Sequence, residues 1–336
     1  MKISGKLSSA LIVFSLVATA LTVMAYPLDG YEETGIRRVE GARLANEGLA
    51  IGGFQPPGAM LTTEQVDIRL VNSNVTLPLA DAAFTEQIKG LLGDHADRYG
   101  IAVLDLTDLE NPRYAEHRGD YRQNVGSVGK LLVALGLFQA LADTWPDDLD
   151  RRKAVLRDTI MTADDFAHSD HHTVRIFNVE TRELIRRPIA DGDKGELWEY
   201  LDWMLSVSSN SAAAMVMRDA MLLRHFGKDY PVSEEQIRTF FSTTPAGQLT
   251  RLFQKTFWEP VTRNGLSLDQ IRQGSFFTRQ GKANVNGGGN SYATARSLME
   301  FLLKMEQGTL VDEWSSRQIK RLLYMTERRI RYASAP

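Results

Sequence analysis

The chain has 336 residues, 43% of them hydrophobic and 24% charged, with a formal net charge of −3 and a pI near 6.1. That length buries a sizeable core, as one large domain or two smaller ones, and the charge offers no basic footprint for a nucleic acid. With no cysteine, disulfide frameworks, thiolate metal sites, Cys nucleophiles and Cys-linked lipid anchors are all excluded.

Lys2 and Lys6 precede an uncharged stretch from Leu7 to Ala25, and Val23-Met24-Ala25 offers a small-x-Ala cleavage site before Tyr26. This pattern predicts a signal peptide over residues 1–25 and a mature protein outside the cytoplasm, in the periplasm or secreted. The stretch is also long enough to act as an uncleaved membrane anchor. Residues 26–80 read as an N-terminal extension. Gly52-Gly53 and Pro56-Pro57-Gly58 break regular structure, Glu32 to Leu49 suits a charged helix, and Val66 to Leu79 alternates in part as an extended segment.

Residues 81–336 form the main domain. Phe84 to Tyr99 has apolar residues at helical spacing, and Gly100 to Leu106 reads as a buried strand. Thr107 to Pro112 is a turn cluster, and Arg113 to His117 is the second strand of a hairpin. From Val128 to Ala142 the only polar side chains are Lys130 and Gln139, so this helix belongs in the middle of the fold. Ser127 stands at the N-cap position and Lys130 three residues on, which places both side chains on one helix face. A Lys in an apolar setting is disfavoured as a cation and becomes a candidate base. A Ser beside such a base, at a helix start that favours negative charge, is a candidate acyl-transfer nucleophile. Ser-x-x-Lys alone arises by chance about once in a chain of this length, so the argument needs the remaining sequence.

Pro146 ends the central helix, and Arg151 to Met161 suits another. His168-Ser169-Asp170-His171-His172 sits in a loop before the strand-like Thr173 to Phe177, with no distant ligand evident, and no metal site is assigned. Leu197 to Val207 is helical, ends in Ser208-Ser209-Asn210, and is followed by a helix from Ser211. Taken alone, Ser208 and Asn210 read as capping residues. Thr239 to Lys255 mixes turn signals with apolar Leu249, Leu252 and Phe253. Glu259 lies between Trp258 and Pro260, either in a restricted loop where burial raises its pKa or as a helix-ending Glu. Asn284 to Asn290 is glycine-rich without the Gly-Lys-Ser/Thr of a phosphate cradle, and reads as a flexible turn. Helices over Thr294–Gln307 and Ser315–Met325 follow, before a basic end at Arg328, Arg329 and Arg331.

In order and context these pieces resemble the penicillin-recognising serine hydrolases, and most nearly the class A β-lactamases, marked by Ser-x-x-Lys, Ser-Asp-Asn and Lys-Thr-Gly. Here the first motif is Ser127-Val128-Gly129-Lys130, and the second is Ser208-Ser209-Asn210 with Ser in place of Asp at 209. The resemblance spans roughly residues 84 to 330. The third motif is absent, and the chain ends at Ala333-Ser334-Ala335-Pro336, about where that strand should approach. A C-terminally truncated sequence, mostly helical as it stands and unable to complete an active site, is expected.

The resemblance implies an α/β (α+β) fold of the β-lactamase/transpeptidase type. An antiparallel sheet flanked by helices stands beside an all-α lobe, with the site at their junction. It implies Ser127 as nucleophile and Lys130 as its proton acceptor, directly or through a Glu-bound water. Ser208 would pass a proton to the leaving nitrogen, Asn210 would hold the substrate amide, and Glu259 is the candidate deacylation base. No cofactor is expected, nor a nucleic-acid partner; the chain is expected to act as a monomer on a β-lactam or a peptidoglycan stem peptide. A D,D-peptidase or transpeptidase, and a non-catalytic envelope binding module, are the alternatives.

Overall fold

The computed structural model describes residues 30–50 and 74–325. The expected signal peptide, residues 66–73 of the extended segment and the terminal arginines lie outside the described residues. The described part opens with two short helices, α1 (Gly30–Thr34) and α2 (Arg37–Asn46). Ile36, Val39 and Ala42 are buried in the main core. Arg38 pairs inside the protein with Asp202, with Nη2 2.5 Å from Oδ1, and Arg37 Nε lies 2.9 Å from the fully buried Glu199. Burial pushes the Glu199 carboxyl up, to about 8, against the pull of Arg37. This part of the expected extension therefore carries two cations that answer buried carboxylates of the main domain.

The helix α3 (Ala82–Leu92) is capped by Asp81, whose carboxylate accepts from the Phe84 N–H at 2.9 Å. It leads to the antiparallel pair β1 (Ile101–Asp105) and β2 (Arg113–His117), in register Ile101 to His117. The sequence suggests a buried β1, but it is half-buried along its whole length. Among the described residues β2 is its one strand neighbour.

A 3-10 turn, Gly126–Gly129, runs into the central helix α4 (Lys130–Thr144), in which every residue from Leu132 to Leu141 is buried. Each fully buried Leu or Val there contributes about 1.5–3 kcal/mol. With its preceding turn this helix has the length and apolarity to cross a membrane, but protein covers it on most of its surface. Trp145 and Pro146 end it.

Next come α5 (Leu149–Asp158), β3 (Ile160–Thr162), β4 (Val174–Phe177), β5 (Leu184–Arg187) and β6 (Lys194–Glu196). β3 pairs with β6 and β4 with β5, both antiparallel. Met161, expected at the end of a helix, instead belongs to β3. Two helices then follow in close succession, α6 (Leu197–Ser206) and α7 (Asn210–Phe226). α8 (Glu234–Thr243), α9 (Ala246–Phe257) and α10 (Glu259–Arg263) complete the lobe. α4 packs against α6, α7 and α9. Its crossing with α9 is close because of Gly136: a Cβ there would lie 2.6 Å from the Thr256 carbonyl oxygen. A glycine inside a helix costs about 1 kcal/mol relative to Ala, and the close approach explains its presence.

β7 (Ile271–Arg272), α11 (Arg279–Asn284) and β8 (Tyr292–Ala293) form an irregular segment in which β7 and β8 pair. The glycine-rich stretch is not a free turn. A Cβ on Gly287 would lie 2.1 Å from the Gly274 carbonyl oxygen, and one on Gly274 would lie 2.4 Å from that of Gly289. Backbone packs directly on backbone there, which side chains forbid. α12 (Ala295–Glu306), opened by a Thr294–Ser297 capping box, and α13 (Glu313–Tyr324) end the described chain. The architecture is α+β: mostly helical, with small antiparallel sheets around a buried central helix.

Candidate active site

The first residue of α4 is the centre of the site. Lys130 is 1% exposed, and its Nζ lies 3.0 Å from Ser127 Oγ, 3.1 Å from Ser208 Oγ, 2.9 Å from the Ser208 carbonyl oxygen and 2.8 Å from Asn210 Oδ1. The Phe277 ring covers the same Nζ, with its centroid 4.6 Å away. Four of the five residues singled out in the sequence thus converge on one nitrogen.

The geometry constrains proton positions. The Ser208 carbonyl and Asn210 Oδ1 are obligate acceptors and take two N–H groups of Lys130. The hydroxyls of Ser127 and Ser208 lie within hydrogen-bond distance of the same nitrogen. A proton can therefore pass from Ser127 through Nζ to Ser208 with little movement of heavy atoms.

Local backbone explains how these groups meet. Ser127 lies within the 3-10 turn rather than at an N-cap, and no side-chain capping bond forms there. Its hydroxyl accepts from Lys130 instead, and the side chain stays exposed to incoming molecules. Gly126, at φ 51°, makes the bend that precedes it. Ser208 sits in the left-handed region at φ 65°, which for a non-glycine residue stores strain of about 1–3 kcal/mol. That conformation turns both its carbonyl and its hydroxyl onto Lys130.

The cleft over Ser127 has a volume of about 760 Å³. Arg122 and Lys282 supply positive charge, and Gln273, Asn124 and Asn290 are among its neutral polar groups. Among the described residues, no carboxylate lines it. The Gln123 backbone ties its two sides together, donating to the Ala293 carbonyl at 2.9 Å and accepting from the Ala293 N–H at 3.0 Å. A Cβ on Gly129 would lie 2.2 Å from Gln273 Oε1, so this glycine admits the Gln273 side chain beside the Ser127 turn.

Glu259, the expected deacylation base, is placed elsewhere. It opens α10, its side chain is 43% exposed, and it lies 3.5 Å from Arg263, which in turn pairs with Asp143 at the far end of α4. Thirteen steps of about 1.5 Å along α4 separate Asp143 from Lys130. Of the Trp258-Glu259 pair, Trp258 is the one that serves the cleft: its indole N–H donates to the Gln273 carbonyl at 2.7 Å.

Asp170, His171 and His172 do converge, with one ligand-type atom from each lying within 4.8 Å of the others. Asp170 is already engaged, however. Oδ1 accepts from His172 Nδ1 at 2.6 Å, and Oδ2 accepts from the backbone N–H groups of Asn210 at 2.7 Å and Ser211 at 3.0 Å. Sequence reading missed Asp170, Gln273, Phe277, Arg122 and Lys282. One signal pointed to the first of these, the Ser at 209 where a carboxylate was expected.

No curated protein matches the chain. Among solved structures, one titled "Structure of PBP-A" is 15% identical, with a TM-score of 0.43, covering 76% of this chain and 73% of that one. A beta-lactamase from Sphaerobacter thermophilus DSM 20745 is 11% identical, with a TM-score of 0.45, covering 75% of this chain and 74% of that one. The model of the family described as "Beta-lactamase enzyme family" matches residues 83–335. That match takes in well over half the sequence and both motifs gathered at Lys130, and the chain belongs to the beta-lactamase enzyme family.

Proposed function

We propose that the protein is an exported serine hydrolase that opens amide bonds of the β-lactam type through an acyl-enzyme on Ser127. The observation that carries this reading is the convergence of Ser127, Ser208 and Asn210 on the buried Lys130 nitrogen. In this scheme Ser127 Oγ bonds to the substrate carbonyl carbon and its proton moves to Lys130 in the amine form. Ser208 delivers a proton to the ring nitrogen as the C–N bond breaks, and recovers one from Lys130. The Ser127 backbone N–H, at the start of a helical turn, faces the developing oxyanion. Asn210 holds the substrate's side-chain amide. Arg122 and Lys282 in the cleft suit a carboxylate-bearing substrate.

Fast hydrolysis of the ester needs a base beside it, and the cleft lining among the described residues, which holds no carboxylate, favours a slow second step. That inventory supports a penicillin-binding enzyme acting on peptidoglycan stem peptides over a rapid β-lactamase. Action outside the cytoplasm rests on Lys2, Lys6 and the uncharged Leu7 to Ala25 stretch.

Intact mass of the protein incubated with benzylpenicillin, followed in time, tests all three parts. A mass gain on the Ser127 peptide, absent in Ser127→Ala, is expected to persist for minutes to hours. A gain that vanishes as the drug is consumed would restore the β-lactamase reading, and no gain from folded protein would remove the catalytic one. The starting mass of protein recovered from a bacterial host shows whether residues 1–25 have been cleaved.

A further inference from the structure

The second motif of this chain lacks its carboxylate: Ser209 stands where the related pattern has Asp. The structure supplies one from another element. Asp170 lies in the loop before β4, and its side chain is 1% exposed. Its Oδ2 takes three donors from the start of α7: Ser209 Oγ at 3.0 Å, Asn210 N at 2.7 Å and Ser211 N at 3.0 Å. Its Oδ1 takes two from its own loop, His172 N at 3.2 Å and His172 Nδ1 at 2.6 Å. Ser209 Oγ in turn accepts from the Ala212 N–H at 3.1 Å, so the hydroxyl relays the helix end to the carboxylate. A second tie fastens the same two segments, the Ser211 hydroxyl donating to the Ala167 carbonyl.

We propose that Asp170 is a positioning residue of the active site, clamping the Ser208–Ser211 turn so that Ser208 and Asn210 stay on Lys130. The inference rests on the Ser127 reading for its catalytic meaning. The clamped residues are neighbours in sequence of the strained Ser208, whose carbonyl and hydroxyl must both reach one nitrogen. A charge on the first N–H groups of a long helix is also well placed against its dipole. The carboxylate stands on the loop that packs on the helix start, and the Ser209 hydroxyl joins the two.

The test measures acylation of Ser127 by benzylpenicillin in Asp170→Ala, Asp170→Asn and a double variant carrying Asp170→Ser with Ser209→Asp. In Asp170→Ala the limiting acylation rate is expected to fall about 10- to 100-fold, while the half-saturating concentration changes less than about 3-fold. Asp170→Asn retains one acceptor oxygen toward the helix and is expected to lose less than about 10-fold. The double variant, which returns the carboxylate to the helix, is expected to recover most of the rate. An Asp170→Ala protein that folds and acylates at the wild-type rate would overturn the proposal, as would a double variant no better than Asp170→Ala. If Asp170→Ala does not fold, Asp170→Asn and the double variant decide. If the wild type is not acylated, the Ser127 reading fails separately. Hydrogen exchange at the Asn210 and Ser211 amides then judges the clamp: faster exchange in Asp170→Asn supports it, and unchanged exchange overturns it.

Discussion

The two ends of α4 carry polar clusters built on opposite principles. At the first turn the buried Lys130 nitrogen meets two hydroxyls, a carbonyl and an amide oxygen. At the last turn Asp143 is shared by two arginines, 2.6 Å from Arg263 and in contact with Arg224, in a group that reaches the surface. Arginines lower the Asp143 carboxyl despite the rise that its partial burial causes. With Glu259 beside Arg263 the two carboxylates balance the two arginines, and what they leave is a fixed helix end. A buried amine facing two hydroxyls has groups with which to exchange protons. The helix that is the hydrophobic axis of the fold thus carries a buried amine among hydroxyls at one end and an ion-paired carboxylate at the other.

The comparison breaks first at Lys130. Lys130→Met keeps the volume and removes the amine, leaving the Ser208 carbonyl and Asn210 Oδ1 without that donor. The expected result is a loss of about 10²–10⁴-fold in the acylation rate of Ser127, as for removal of a general base. Stopped-flow acylation with a chromogenic cephalosporin measures it. A loss below tenfold would mean that Lys130 only packs, like any other buried stem.

The cluster around Lys130 was legible in the sequence because its parts are local. Ser127 and Lys130 are three apart, Ser208 and Asn210 two apart, and an apolar run announces a buried helix. The strands Arg113–His117 and Val174–Phe177 and the later helices were legible for the same reason. What escaped depends on distant partners. Gln273 and Phe277 reach the cleft through glycine backbone contacts between 274 and 289 that no periodicity encodes. Asp170 meets Asn210 across 40 residues of chain. Glu259 lies away from the cleft for the converse reason, since Trp-Glu-Pro is a local pattern whose placement depends on which way the helix carrying it faces.

Asp170 also bears on stability. Burial would raise its carboxyl, but the N–H of Ser211 and the bonds from His172 outweigh that and hold it at about 2. A carboxyl lowered by folding contributes stability above its unfolded pKa, and that stability is lost as pH falls from about 4 through about 2. A shift of nearly two units corresponds to about 2 kcal/mol. Urea unfolding between pH 5 and pH 2 should therefore show the wild type losing about 2 kcal/mol more than Asp170→Asn. Parallel curves for the two proteins would mean that the carboxylate is not held as a charge.

The smallest effect is expected at the fastening end, where the sequence placed a catalytic base. Glu259→Gln removes a charge that is 43% exposed and stands 3.5 Å from Arg263, an exposed pair of the kind worth about 0–1 kcal/mol. Arg263 keeps its closer bond to Asp143, so the end of α4 remains tied. Acylation and the decay of the acyl-enzyme are both expected to change less than about twofold, because the carboxylate lies a helix length away from Ser127 and screening leaves little field at that distance. The decisive quantity is the decay rate read by mass. If Glu259→Gln prolonged the acyl-enzyme tenfold while leaving acylation intact, α10 would have to swing toward the cleft during turnover, and the two ends of α4 would belong to one machine.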